Sequence, residues 1–367
     1  MISNNKALTW LKKPIPALVI SIILLGFVAL ADYLTGPLLD LSILYFLSIV
    51  YAAWALGRFG ALAAVAVAVT QTITDQFTLV RIGHWTSLEG ALHITVMLAM
   101  YLFIGEVTVR FTGTNQRLRS TYALLDDDLN AAGLLQANIL EIEKPDIPSL
   151  QIGVSVRYAG RTGGDFADAG RVNGKIYACI ADVAGKGTPA ALFTTLLKHL
   201  LTDAHRKGLR AADAIAEVNA ALCRMLTAEK FVTMFYLEID PATGMLEYVN
   251  AGHPEGLVHR AATNELVPLR LTSPLLGLLD MPSGPCSCTF KLEPGDSLTI
   301  YSDGATDSRA RTGGHIGDAL IHELASEYAY LDAQDMADAI SDEIIDKAVE
   351  DKRDDLAIIC IKLVDQK

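Results

Sequence analysis

Long apolar runs fill the first third of the chain, and short ones broken by polar turns fill the rest. Four long runs come first: Ile15–Leu34, Leu38–Leu56, Phe59–Val80 and Ala91–Phe111. Each is near the ~20 residues a helix needs to cross a hydrocarbon core. The third is the weakest, because Gln71, Thr72, Thr74, Asp75 and Gln76 dilute its second half. The first run, behind Lys12 and Lys13, is longer than a signal-peptide core and is followed at once by further apolar runs. Lysines precede the first run, Arg58 separates the second from the third, and Arg110, Arg117 and Arg119 follow the fourth. The two other connections hold Arg81. This asymmetry predicts four membrane spans with both termini in the cytoplasm. Asp32, Asp75, Glu89, His93 and Glu106 lie in or near the spans, mostly at predicted ends facing headgroups. Glu89 and His93, one helical turn apart, are the pair best placed to bind a ligand or sense protons.

The pattern then turns polar, with apolar residues at alternating spacings of four and three. Leu118, Tyr122, Leu125, Leu129, Ala132, Gln136 and Ile139 form a heptad seam over residues 114–141, with Gln136 its polar member. Two parallel copies could pair along it, which predicts a homodimer; the alternative is a lone helix packed on its own domain. Pro145 and Pro148 end the segment. The expected organisation is a transmembrane domain over 1–111, a helical dimerisation linker over 112–147 and a third domain over 148–367.

From Leu150 onward the runs shorten to strand length: QIGVSVRY, KIYACIAD, FVTMFYLEID, MLEYVNA, DSLTIYSD and LAIICIKLV. Residues 241–244, Pro-Ala-Thr-Gly, join two of them as a hairpin. Helical stretches are expected over about 189–207, 211–227 and 333–350. Strands in runs with helices between them predict an α+β fold, with helices covering an antiparallel sandwich.

Length and charge narrow the function. The 367 residues suffice for about two domains. A net charge of −12 with no long basic run argues against a nucleic-acid partner. The five cysteines, including Cys286 and Cys288 one residue too close for C-x-x-C, are read as free thiols in a reducing compartment.

Carboxylates recur where strands end. RTGGDFAD holds Asp165 behind two glycines, and IADVAGKGTPAAL holds Asp182 at the end of an apolar run. IYSDGATDS holds Asp303, and KRDDLAIIC holds Asp354 and Asp355 just ahead of a strand. An aspartate beside a glycine is by itself an ordinary turn. Four such places in one domain are different: converging carboxylates repel unless cations lie between them, and hard divalent ions take oxygen ligands. No His or Cys accompanies them, which disfavours zinc. The GKGT stretch, residues 185–188, lacks P-loop spacing and is read as a tight turn into a helix. His253 in NAGHP is read as a structural residue near a turn.

In this order, GGDFAD, ADVAGKGTPAAL, FVTMFYLEIDPATGMLEYVNAGHPEGLV, LEPGDSLTIYSDGATDS and DDLAI resemble the metal-dependent PPM family of serine/threonine phosphatases. They resemble most the bacterial sporulation stage II protein E and RsbU-type subgroup. The resemblance runs over nearly all of 150–364 and leaves out the membrane segment. It implies an αββα sandwich with two Mn²⁺ or Mg²⁺ ions at one edge. By motif, Asp182 would bridge both ions and the Val183 carbonyl would bind one. Asp303 and Asp354 would hold the other, and Asp165 would orient water or a ligand beside them. The implied chemistry is hydrolysis of phosphoserine or phosphothreonine by metal-activated water. The implied substrate is a STAS-type antagonist of an anti-sigma factor, at the inner membrane of a bacterium. Ala167 and Ala357 depart from residues common in the family, at positions that are not proposed ligands. No arginine is clearly assigned to the phosphate; Arg157 and Arg161 are candidates by sequence proximity. Asp168 and Asp355 are either supporting residues or surface acids. Two alternatives stand: a receptor with an inactive, binding-only domain, and a diguanylate cyclase. The second is disfavoured because Phe166 stands where the GGDEF glutamate would be.

Overall fold

The computed structural model describes residues 13–35, 44–81, 86–226, 230–281, 283–311, 313–349 and 353–364. Lys6, Lys12, the start of the second apolar run and the last residues of two expected helices lie outside them, as does the side chain of Asp32. The chain divides into two units, Met1–Leu125 and Asp126–Lys367.

The first unit is helical: α1 (Pro14–Thr35), α2 (Tyr45–Arg81) and the first part of α3 (Ser87–Ile139). The expected gap between the second and third apolar runs is a break inside α2. Gly57 there has φ 69° and ψ −151°, a left-handed conformation that glycine adopts without steric cost. Among the described residues α2 and α3 are long and apolar enough to cross a membrane, and Ile15–Ala31 is a shorter apolar helix. Large apolar side chains such as Phe27, Phe59, Phe77 and Phe103 are exposed on these helices. Thr86 and Glu89 open α3 as a reciprocal capping box. The Glu89 carboxylate accepts from the Thr86 N–H and hydroxyl at 2.7 Å each, and the Glu89 N–H donates to Thr86 Oγ1 at 3.3 Å. Glu89 therefore serves as a helix cap.

The second unit takes in the end of α3, so part of the predicted linker belongs to it. Two five-stranded antiparallel sheets follow. One is ordered β1 (Leu150–Arg157), β10 (Leu356–Leu363), β9 (Ser297–Tyr301), β6 (Gly256–Arg260), β7 (Glu265–Leu269). The other is ordered β2 (Asp165–Val172), β3 (Lys175–Val183), β4 (Val232–Ile239), β5 (Met245–Ala251), β8 (Cys288–Lys291). The turn at 241–244 joins β4 to β5, with Asp240 accepting from Ala242 N–H and the Thr243 hydroxyl.

Alternation along the strands builds four layers. Ile176, Ala178 and Ile180 of β3 face an inter-sheet core with Phe235, Ile300 and Ile359. Cys179, Ala181 and Val183 face the other way. Against that outer face pack α4 (Thr188–Arg206) and α5 (Ala211–Met225) through Leu197, Leu201, Ile215 and Val218. On the other sheet, Ile358 and Cys360 meet α7 (Asp318–Glu327) and α8 (Ala333–Lys347) through Ile321, Met336 and Ile340. Buried on both faces, β10 reads as an apolar run from Leu356 to Ile361. Each fully buried Ile, Leu or Phe contributes about 1.5–3 kcal/mol.

Antiparallel pairing decides which chain ends meet. The start of β2 lies beside the end of β3, and the end of β9 beside the start of β10. The short helix α6 (Gly304–Asp307) follows β9 at once. Gly304 passes so close to the Asp355 carbonyl that a β-carbon would overlap its oxygen. The glycine of the Asp-Gly pair is thus set by close backbone approach. Gly304→Ala should lower stability by about 1–3 kcal/mol, as overpacking does, measured by thermal or denaturant unfolding.

Candidate metal centre

Each expected acid sits at a strand end because the strand before or after it is held by pairing. Asp165 and Asp182 face each other across β2 and β3, and Asp182 is opposite Thr233 of β4. Asp303 follows β9, and Asp354 and Asp355 precede β10. The Ser302 N–H donates to the Ala357 carbonyl at 2.9 Å and draws these two ends together.

Two contacts join the sheets at this end. Ser302 Oγ donates to Asp165 Oδ2 at 2.5 Å and accepts from Ala357 N–H at 2.9 Å. Asp355 accepts from Gly164 N–H at 2.7 Å and from Ala159 N–H at 2.8 Å. Asp355 therefore fixes the glycine loop in front of Asp165. Gly164 lies against the proposed ligands: a β-carbon there would stand 3.1 Å from the Val183 carbonyl oxygen and 3.3 Å from Asp182 Oδ1. Asp168, three residues along β2 from Asp165, is buried elsewhere, with Lys198 Nζ at 2.7 Å and the Tyr177 hydroxyl at 3.0 Å. It supports packing at a distance from Asp165, on the opposite face of the strand.

The electrostatics are those of acids crowded without a counter-charge. Burial raises Asp182 to about 7, helped by the charges of Asp303, Asp354 and Asp355 and opposed by Lys186. Burial also pushes Asp165 well above the usual carboxylate range, against the Ser302 hydrogen bond and with the charge of Asp182 adding to it. Asp303 and Asp355 are raised too, first by burial and then by neighbouring acids. Among the described residues no three His, Cys, Asp or Glu side chains stand close enough in this arrangement to hold an ion. Asp354 pairs instead with Lys186, whose Nζ lies 2.9 and 3.1 Å from its two oxygens. The residues nevertheless fit hard divalent cations in their chemistry. The donors are carboxylate and carbonyl oxygens, and Gly164 leaves open the space beside Asp182 and Val183 that a β-carbon would fill.

Several contributors carried no signal in the sequence. Ser302 is hidden in a strand end, and Lys186 reads as a turn residue. Gln136 is exposed by the heptad pattern as the odd polar residue, yet its carboxamide serves its own domain. It donates to the Gly163 carbonyl at 2.8 Å and to Thr194 Oγ1 at 2.9 Å, and accepts from Gly163 N–H at 3.2 Å. Arg157 and Arg161 form ion pairs with Asp338 and Asp126. His253 is buried, with Thr233 Oγ1 2.8 Å from its Nδ1, and burial lowers it to about 3, so it stays neutral.

Residues 173–364 match the family described as stage II sporulation protein E (SpoIIE). The chain is 25% identical over 253 residues to phosphoserine phosphatase RsbU of Bacillus subtilis (strain 168), covering 68% of this chain and 73% of that one. The SiaA-PP2C domain of Pseudomonas aeruginosa superposes with a TM-score of 0.57 at 19% identity, over 66% of this chain and 98% of that one. The PP2C phosphatase domain of the cell fate determinant SpoIIE from Bacillus subtilis, solved with a fragment of its regulatory domain, gives 0.52 at 19% identity. It covers 59% of this chain and 64% of that one. At these identities the structural likeness establishes a PP2C-like α+β fold.

The raised Asp182 gives a pH signature to the metal-free protein. Between the ordinary value of 3.8 and about 7 the folded state keeps a proton that the unfolded state has released. Stability therefore falls as pH rises through that window and levels off above it. Melting temperatures in EDTA should decrease from about pH 4 to pH 7, and Asp182→Asn should flatten the decrease. An unchanged slope in that variant would assign the effect to other groups.

Proposed function

Because the chain belongs to the stage II sporulation protein E (SpoIIE) family, we propose that it is a metal-dependent protein serine/threonine phosphatase of the RsbU and SpoIIE type. The observation that supports this reading is that Asp165, Asp182, Asp303 and Asp354, from four separate stretches of chain, lie at strand ends on one end of the sandwich, near enough to act on one another's charge.

In this reading Asp182 would contact both of two divalent cations, Mn²⁺ or Mg²⁺. The Val183 carbonyl would hold one, and Asp303 and Asp354 the other. Bound there, such ions would activate water for attack on the phosphoryl group and offset the charge on its oxygens. The protein's own contribution is to hold the acids in position. Ser302 fixes the Asp165 carboxyl, which would accept or return a proton of the attacking water. Asp355 clamps the loop of Gly163 and Gly164, keeping side-chain bulk away from the Val183 carbonyl. Cys179 and Cys360 supply no nucleophile, since both are buried and burial raises both.

The remaining parts extend the reading. The apolar helices of the first unit would anchor the chain in a bacterial inner membrane with four spans, α2 crossing twice about its break at Gly57. The catalytic domain would then lie in the cytoplasm. Leu118, Tyr122 and Leu125 are exposed on α3, which suits pairing with a second copy over residues 114–141. The substrate would be a phosphorylated STAS-type antagonist of an anti-sigma factor. One observation favours a second reading, a binding module without turnover: the acids do not converge tightly in this arrangement, and Lys186 neutralises one of them.

Turnover separates the two. The full chain should hydrolyse a phosphoserine peptide and a generic aryl phosphate with Mn²⁺ and lose that activity in EDTA. Asp182→Asn should lower kcat by on the order of 10³-fold or more while leaving the circular dichroism spectrum unchanged. Full activity in that variant would remove Asp182 from the centre, and no Mn²⁺-dependent activity in the unaltered chain would favour the binding module.

A further inference from the structure

We propose that Lys186 is a built-in counter-ion of the carboxylate centre, holding Asp354 while no divalent cation is bound and turning to the substrate's phosphoryl oxygens once one is. This rests on the phosphatase reading above.

The loop between β3 and α4 is shaped to carry a lysine over the acids. Gly185 has φ 120° and Gly187 φ 74°, conformations that side-chain-bearing residues rarely adopt. Beneath the loop, Lys230 Nζ donates to the Ala184 carbonyl at 2.8 Å and occupies the space a β-carbon at Gly185 would need. The backbone around Lys186 is thus braced, while its own side chain is 78% exposed and free to swing. Both of its hydrogen bonds among the described residues go to Asp354. Its charge also acts on Asp182, Asp303 and Asp355, lowering each against the burial that raises them. A single ammonium group therefore serves four acids.

Lys186 Nζ lies against both Asp354 oxygens, so a divalent cation that binds this carboxylate competes with the ammonium ion for it. An exposed ion pair is weak and screened, so the divalent ion displaces the lysine. The released ammonium then stands on a braced loop beside the place where a phosphoryl group with two negative charges arrives. The arginines nearest in sequence are engaged elsewhere, Arg157 with Asp338 and Arg161 with Asp126. Lysine binds phosphate as a mobile point charge, which suits a residue that changes partner.

The test uses the full chain in detergent, with Lys186→Gln and Lys186→Arg as variants. Titrated with Mn²⁺ alone in a calorimeter, Lys186→Gln should bind about 2–5-fold more tightly than the unaltered chain, the reach of an exposed ion pair. Lys186→Arg should stay near the unaltered value. Inorganic phosphate, used as a competitive inhibitor, should bind about 10-fold more weakly to Mn²⁺-loaded Lys186→Gln, with much of the loss recovered in Lys186→Arg. Equal or weaker Mn²⁺ binding by Lys186→Gln, or unchanged inhibition by phosphate, would overturn the proposal and leave the phosphatase reading standing. An unaltered chain that binds no Mn²⁺ would overturn that reading and this proposal together.

Discussion

Repulsion between half-buried carboxylates is the constraint to which the rest of the second unit answers. Unassisted, Asp165, Asp182, Asp303, Asp354 and Asp355 would drift apart or take up protons; four of them are raised, by burial first and by their neighbours' charges second. Backbone pairing opposes the drift. Each acid is tied to a strand whose register is fixed by apolar side chains on both faces, so a shift by one residue would turn every core side chain outward. The sandwich is accordingly a clamp for charges that would not otherwise stay together. The hydrogen bonds of Ser302 and Asp355 close it across the two sheets.

This explains which parts were legible in the sequence. Strands announce themselves by continuous apolar runs such as 176–181 and 356–361, and the acids stand out because they close or precede such runs, Asp165 and Asp303 beside a glycine. The α+β class and the layering followed from strands in runs with helices between them, and the two antiparallel sheets under α4, α5, α7 and α8 agree with that expectation. Through-space partners were another matter. Ser302 and Asp165 are 137 residues apart, and Lys186 and Asp354 are 168 apart. No local pattern links them, so Lys186 read as turn filler and Asp355 stayed open between two roles.

Periodicity also has a limit of its own. It reports that one side of a helix is apolar and leaves open what covers that side. Along α3 the seam is exposed at Leu118, Tyr122 and Leu125, whereas Gln136 is buried in the second unit. The single polar seam residue is the place where the helix stops offering a free face and begins to bond its own domain. Gly57 carries a similar lesson: a junction expected between two runs is a kink inside one helical stretch, made possible by the residue type.

The pairing of β1 with β10 has a consequence for how the protein is made. Leu150 is matched with Leu363, so the first strand of the domain has as its neighbour the last one to leave the ribosome. At ordinary translation rates the intervening stretch of about 200 residues takes on the order of 10–40 s to synthesise. During that time β1 presents an unpaired edge and the acids ahead of β10 do not yet exist. The nascent chain is therefore catalytically silent until β10 has emerged, and a ribosome that stalls before it leaves an open, sticky strand rather than a weak enzyme.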